Sequence, residues 1–463
     1  MVKCETSLIT PDKYYSTNVA AALYFCEMES LIGKTGVETE SLGQNSVLSQ
    51  LSATLIGSEI VKMNGDIKEK IKAGEKIFNY TIGDFDPNIF SIPAELEEEI
   101  VYAYRKHFTN YPLGEGETDL RQAICRFIND REKIQYSPEE ILVASGGRPL
   151  IYTIYRAIVD KGEKVIYAVP SWNNNHYVHF TEGEHCAIET TAENNFMPTA
   201  DEIRPHLKGA VLLALCSPLN PTGTAFSKEQ LKEICAMVVE ENASRNPGEK
   251  KLYVLFDQMY WLLTFGNTEH FNPVSLNPEV RPYTIFVDGI SKCFAATGVR
   301  LGWSMGPAFI INKMKAILSH LGAWSPLPEQ KATAKYLMQK GSVDQYLKIF
   351  KSGLLERLQK IHLGIQQMKK DGFPVDSIAP QAAIYLTVKF DAAGKKTADG
   401  KLLEKQSDVT AYLLNIAGLA IVPFSAFGST HNSPWYRLSV GTVKIEELHE
   451  MFGKLRESLK KLS

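Results

Sequence analysis

The chain has 463 residues, too many for one simple core and suited to two closely packed domains. Its 44% apolar and 22% charged residues are ordinary for a globular protein, and 50 basic against 53 acidic side chains leave a net charge of −3. That balance argues against nucleic acid or an anionic membrane as partner, and no apolar run is long enough to span a bilayer.

Residues 1–45 lack clear periodicity and read as an extension that wraps the fold or stays mobile. The apolar stretch 19–26 has no basic region close before it, and Glu27 and Glu29 follow it without a small-residue cleavage site. No arginine precedes Arg105. A secretory signal and an organellar transit peptide are therefore both disfavoured, and the expected location is cytoplasmic. The cysteines at 4, 26, 125, 186, 216, 235 and 293 never form a CxxC pair, which argues against a disulfide framework and against a metal site. Cys293 reads as a small space-filling residue.

From Ser46 onward, Leu48, Leu51, Leu55, Ile56, Ile60 and Met63 recur at three- and four-residue steps and predict a helix. It leads into a short strand at 76–83, ending in Gly83. Apolar runs at 141–144, 165–169, 210–216, 252–256 and 284–287 predict strands, with an apolar-periodic helix from about Leu150. Ser227 and Gln230 form a capping-box pattern opening a helix that runs to about Glu241. Near-continuous apolar runs suit strands buried on both faces of a mostly parallel sheet, so the expected class is α/β with helices on both sides. An amphipathic helix follows over about 341–370, then strand-like pieces at 383–390, 420–423 and 436–440, and a last helix at about 444–462. The segment 391–408 reads as an exposed excursion. A large domain is expected over 100–330, and a smaller α+β domain from 46–99 with 331–463.

Ligands in open α/β sheets bind beyond the carboxyl ends of the strands. Those ends carry Ser145-Gly146-Gly147-Arg148, Pro170-Ser171-Trp172, Ser217-Pro218-Leu219-Asn220, Asp257 with Tyr260, and Ser291-Lys292. A lysine that condenses with an aldehyde must spend time as a neutral amine, which calls for a desolvated pocket with cationic neighbours. Asp257 closes an apolar strand, where a carboxylate is costly to bury without a cation.

From about Ser46 to the C-terminus these segments resemble the class I/II aminotransferases, within the fold-type I pyridoxal-phosphate (PLP) enzymes of the aspartate aminotransferase superfamily. The most specific piece runs from Ser291-Lys292 to Gly298-Val299-Arg300-Leu301-Gly302. The family pattern is S-K, then G-x-R-x-G with the arginine eight residues after the lysine, and here 300 − 292 = 8. The other segments follow in the family's order.

The resemblance implies a role for each residue. Lys292 carries PLP as a Schiff base and serves as general base. Asp257 pairs with the protonated ring nitrogen that makes the ring an electron sink, and Asn220 and Tyr260 donate to its phenolic oxygen. Gly147 and Arg148 at a helix start, with Ser291 and Arg300, hold the phosphate. Pro149 falls in the first helical turn, where it is tolerated. Gly289 stands where the family has a further phosphate-binding serine. Trp172 stacks on the pyridine face. Tyr111 reaches the neighbouring subunit's phosphate, implying a homodimer with shared active sites. Arg437 clamps the substrate's α-carboxylate, and Gly83 lets backbone approach that group. Trp261 and Trp303 read as core.

The implied reaction moves an amino group from an L-amino acid to a 2-oxo acid, with 2-oxoglutarate the expected acceptor. A β-lyase or decarboxylase would present nearly the same residues. A non-catalytic PLP-binding regulator is the remoter alternative, and 1–45 is too short and not basic enough to supply its DNA-binding module. Donor preference stays open. The stretch 317–330, where one branch places a partner-supplied arginine for a distal carboxylate, contains none. Arg148 is a candidate for a substrate carboxylate or for the phosphate, and Trp324 for lining an apolar or aromatic side-chain pocket.

Overall fold

A computed structural model describes residues 48–55, 59–430 and 432–463, so the reading of 1–45 lies outside the described residues. Two compact units divide the chain, Met1–Leu55 and Ile56–Ser463. In the first, Ser49 caps the helix Gln50–Thr54 by accepting from the Ser52 N–H. Leu55 then turns extended, with ψ 119°. The second unit has its first described helix at Glu59–Lys72. The apolar repeat that predicts one helix therefore falls on two described helices. Leu48 and Leu55 are exposed.

Thirteen strands appear among the described residues. The central sheet contains β2 (Ile141–Ala144), β3 (Lys164–Val169), β4 (Glu184–Glu189), β5 (Ala210–Cys216), β6 (Tyr253–Asp257), β7 (Thr284–Gly289) and β8 (Gly302–Met305), in the order β2, β8, β7, β6, β5, β3, β4. Only β8 runs against the others. β5 and β7 are buried along nearly their whole length because both sheet faces are covered. Alternate residues serve different cores. Leu142, Leu212, Leu255 and Ile285 pack with Leu150 and Ile154 of the helix Gly147–Ile158. Val143, Leu213, Val254 and Phe286 pack with Leu231 and Ile234 of the helix Lys228–Ser244. The Ser227–Gln230 capping box is present at that helix start.

A second, antiparallel sheet joins β12 (Val422–Pro423), β13 (Trp435–Ser439), β10 (Tyr385–Phe390) and β9 (Val375–Ser377) in that order. The expected strand at 76–83 shrinks to β1 (Phe78–Asn79), paired in parallel with β11 (Leu419–Ala420). The helix Lys340–Lys370 buries Val343, Leu347, Phe350, Leu354, Leu358, Ile361, Ile365 and Met368 along one stripe. Thr387 Oγ1 on β10 donates to the Thr222 carbonyl at 2.8 Å, tying this sheet to the loop that bears Asn220. Among the described residues, no helix is long and apolar enough to cross a membrane.

Candidate active site

The carboxyl ends of β2, β3, β5, β6 and β7 open on one cavity of about 600 Å³. It is lined by Gly147, Arg148, Trp172, Asn220, Asp257, Tyr260, Ser291, Lys292 and Arg300 from around the central sheet, and by Gly83 and Arg437. Every expected site residue meets there except Tyr111, and the pocket candidate Trp324 does not line the cavity either. Tyr111 is 84% exposed, with its ring edge-on to Trp324 at 5.7 Å.

Lys292 sits on the short helix Ile290–Cys293 directly after β7. Its Nζ donates to the Gly83 carbonyl at 2.5 Å. Burial lowers its pKa to about 8; Arg437, Arg148 and Arg300 push the same way, and Asp84 opposes them. The site thus supplies the amine that aldehyde condensation requires. Cys293 is buried, and burial drives its thiol pKa up, as suits a space-filling residue.

At the end of β6, Asp257 Oδ1 accepts from the Met259 N–H at 3.0 Å. Burial raises this carboxyl to about 6, against that stabilising N–H. Among the described residues it has no ion-pair partner. A carboxylate held in a cavity without a cation fits a ligand that brings one, as a pyridinium nitrogen does. The chain turns after Asp257, with the Trp261 N–H donating to Gln258 O, so Tyr260 faces the same space.

The end of the cavity expected to take the phosphate is built from close backbone packing. Gly146, at φ +92°, precedes the helix Gly147–Ile158, whose amino end faces the cavity. A Cβ on Gly146 would lie 2.7 Å from Arg300 Nη2, so the bare glycine makes room for the guanidinium. Arg300 takes the left-handed φ of +60° and donates to the carbonyls of Thr297 (2.7 Å) and Ser145 (2.8 Å). These partners are neutral, so its charge is left for an anion.

Gly289 has a packing reason. A Cβ there would meet Gly302 Cα and Leu301 O at 2.8 Å, where β7 and β8 press together. Gly289→Ser should therefore destabilise the fold by about 1–3 kcal/mol, as overpacking does, without adding a useful phosphate contact. Thermal unfolding of the variant checks this; an unchanged midpoint would contradict the crowding argument.

Arg437 is the most constrained cation of the site. It is 2% exposed, its Nη1 donates to Asn220 Oδ1 at 3.1 Å, and its Nη2 donates to the Thr81 carbonyl at 2.6 Å. Tyr385 and Phe427 hold the guanidinium against their rings at 4.8 and 4.9 Å. Its buried Nε has no partner, and no carboxylate pairs with it among the described residues. A buried guanidinium without a counter-ion is a receptor for a carboxylate.

Arg148 also lacks an acidic partner among the described residues, and its guanidinium stacks on Trp172 at 4.6 Å. Trp172 thus already carries an arginine against its ring. Trp261 and Trp303 are core side chains, and Trp261 Nε1 donates to the buried Asp288 at 2.9 Å.

Sequence reasoning missed Tyr385, whose hydroxyl lies 2.6 Å from that of Tyr260 and lines the same cavity. It begins a strand that reads simply as apolar core, and only its pairing with β13 places it beside Arg437. Asp84 and Thr297 were also missed, although they neighbour Gly83 and Gly298. When bound, PLP supplies an electron-withdrawing ring, and the residues present fit it: a desolvated lysine, a carboxylate lacking a cation, a helix amino end, and an arginine lacking an acid.

Comparison with known proteins agrees with this geometry. The model of the family "Aminotransferase class I and II" matches residues 76–455. An aspartate aminotransferase from Bacillus sp. (strain YM-2) is 28% identical over 386 residues, covering 83% of this chain and 92% of its own. A probable aspartate/prephenate aminotransferase from Rickettsia felis is 30% identical over 394 residues, covering 84% and 90%. The crystal structure of the Rhizobium meliloti aspartate aminotransferase superposes with TM-score 0.82 at 25% identity, covering 90% of this chain and 99% of that one. That of the Thermus thermophilus enzyme with maleate gives 0.78 at 25% identity, covering 89% and 99%. The β-lyase, decarboxylase and regulator alternatives find no support among these relatives. The chain belongs to the class I and II aminotransferases and is a PLP-dependent transaminase.

Proposed function

We propose that this enzyme transfers the amino group of a dicarboxylic L-amino acid, aspartate first among them, to 2-oxoglutarate. The observation that carries this reading is the presence of two guanidinium groups without acidic partners, Arg437 and Arg148, on the walls of the cavity that holds Lys292. Arg437 takes the α-carboxylate through two parallel hydrogen bonds and so sets which α-bond faces Lys292. Arg148 takes the distal carboxylate, and Trp172 keeps its planar group in place. Lys292 Nζ would take the α-proton and hold it for return. With PLP bound, Asp257 would compensate the charge of its ring nitrogen, and Tyr260 and Asn220 would donate to its phenolic oxygen. Both half-reactions share the site, so a pocket suited to a two-carboxylate donor also suits 2-oxoglutarate. Ping-pong kinetics follow. The maleate-bound Thermus relative, holding a dicarboxylate, supports this reading.

Residues 100–330 supply the cofactor contacts in this reading, and 46–99 with 331–463 the substrate clamp through Gly83 and Arg437. The working form is proposed to be a homodimer, with Tyr111 completing the partner's phosphate site. Its 84% exposure beside Trp324, with Tyr102, Tyr104, Leu113 and Leu321 also exposed, is what a covering partner relieves. The proposed compartment is the cytoplasm, in keeping with five free cysteines among the described residues.

A donor panel with 2-oxoglutarate tests the reading, following oxo-acid product, ammonia and CO₂. Aspartate should be turned over with no ammonia released. Arg148→Ala should raise its KM roughly 10- to 100-fold, the range of one charge-assisted contact, while leaving an apolar donor unaffected. Equal losses for both donors would return Arg148 to a phosphate role, and ammonia without new amino acid would favour a lyase.

A further inference from the structure

Asp84 is a carboxylate of the active-site cavity to which the reaction as described assigns no task. Its position is set from three sides. Oδ1 accepts from Thr297 Oγ1 at 2.6 Å and from the Phe85 N–H at 2.9 Å. Its backbone packs so closely on Gly441 that a Cβ there would meet the Asp84 carbonyl at 2.0 Å. Oδ2 has no hydrogen-bond partner, and no ion pair engages the group among the described residues. The neighbouring carbonyl, that of Gly83, receives the Lys292 amine at 2.5 Å.

We propose that Asp84, oriented by Thr297, is a positioning residue that fixes the adjoining Gly83 carbonyl, which receives the Lys292 amine whenever that amine is not bonded to the cofactor. The proposal rests on the reading of Lys292 as the cofactor lysine. Several charged groups face this amine. Arg148 comes from the helix after β2, Arg300 from the loop before β8, and Arg437 from β13; all three disfavour its protonated form. Asp257, at the end of β6, shares the cavity. Asp84 is the carboxylate that favours the protonated form. It offsets part of the combined push of burial and three arginines, so the released amine remains a competent proton carrier near neutral pH. Thr297 links this carboxylate to the phosphate end, because its carbonyl accepts from Arg300 Nη1.

The test uses the full chain stripped of cofactor, with PLP itself as probe. Capture is followed by absorbance across pH, then trapped with borohydride and mapped by peptide analysis. Wild type should label Lys292 with a capture midpoint near 8. In Asp84→Asn the midpoint should move to lower pH, with capture at pH 7 faster by about threefold or more. Thr297→Val, which leaves the carboxylate but removes its tether, should move it the same way by less. Label on Lys292 with an unmoved midpoint in both variants would overturn the role of Asp84 alone. Label on another lysine would overturn the cofactor-lysine reading, and this proposal with it. If Asp84→Asn does not fold, Thr297→Val and Asp84→Glu decide the matter, since the glutamate should keep the wild-type midpoint.

Discussion

Lys292→Ala should lose the absorbance of the covalently bound cofactor and slow transamination roughly ten-thousandfold, the upper end of what a positioned proton-transfer group contributes. The loss should fall on kcat. Arg437, Asn220 and the phosphate contacts do not depend on this side chain, so the variant should still bind PLP noncovalently. Stability should change little, or rise at neutral pH, because an amine whose folded pKa is about 8 against an ordinary 10.5 opposes folding wherever it is protonated. Its cost to the folded state is fully present below about pH 8 and fades as pH rises toward 10.5. Steady-state kinetics with the absorbance spectrum checks the prediction; normal turnover without the lysine would sink the assignment.

Arg437→Ala should have the second largest effect, and on a different constant. Truncating one member of a buried charge pair costs about 2–5 kcal/mol. KM should therefore rise by two to three orders of magnitude for every amino donor, with the cofactor absorbance unchanged. Arg437→Lys should recover only part of this, because a point charge cannot make the two parallel bonds of a guanidinium. A KM that stays constant across donors would contradict the role. Donor-selective loss would instead move Arg437 from the α-carboxylate to the side-chain carboxylate.

Most of the central sheet was legible in the sequence because burial on both faces leaves uninterrupted apolar runs, as at Ala210–Cys216 and Ile285–Val287. Two strands were not. Glu184–Glu189 lies at the sheet edge and exposes most of its side chains, so its apolar signal is thin. Gly302–Met305 has four residues, begins with the last glycine of a motif, and runs against its neighbours. The cavity-lining residues that follow strands were readable from their placement. Asp84, Thr297 and Tyr385 owe their places in the cavity to contacts across 213 and 125 positions of sequence, and no spacing rule reports those.

The close approach of Gly146, Gly289 and Gly302 bears on how this enzyme can diversify. A Cβ on Gly302 would come within 3.1 Å of both the Gly146 and Asp288 backbones, and one on Gly289 would strike Gly302 itself. Substitution at Gly289 or Gly302 demands backbone movement at its neighbour, and a Cβ on Gly146 would displace the Arg300 guanidinium, so this floor of the cavity is closed to stepwise change. New donor preferences must then arise elsewhere on the cavity wall, at Arg148 and Trp172, whose side chains are exposed and half-buried respectively. A mutant library confined to those positions should keep its cofactor while its substrates drift.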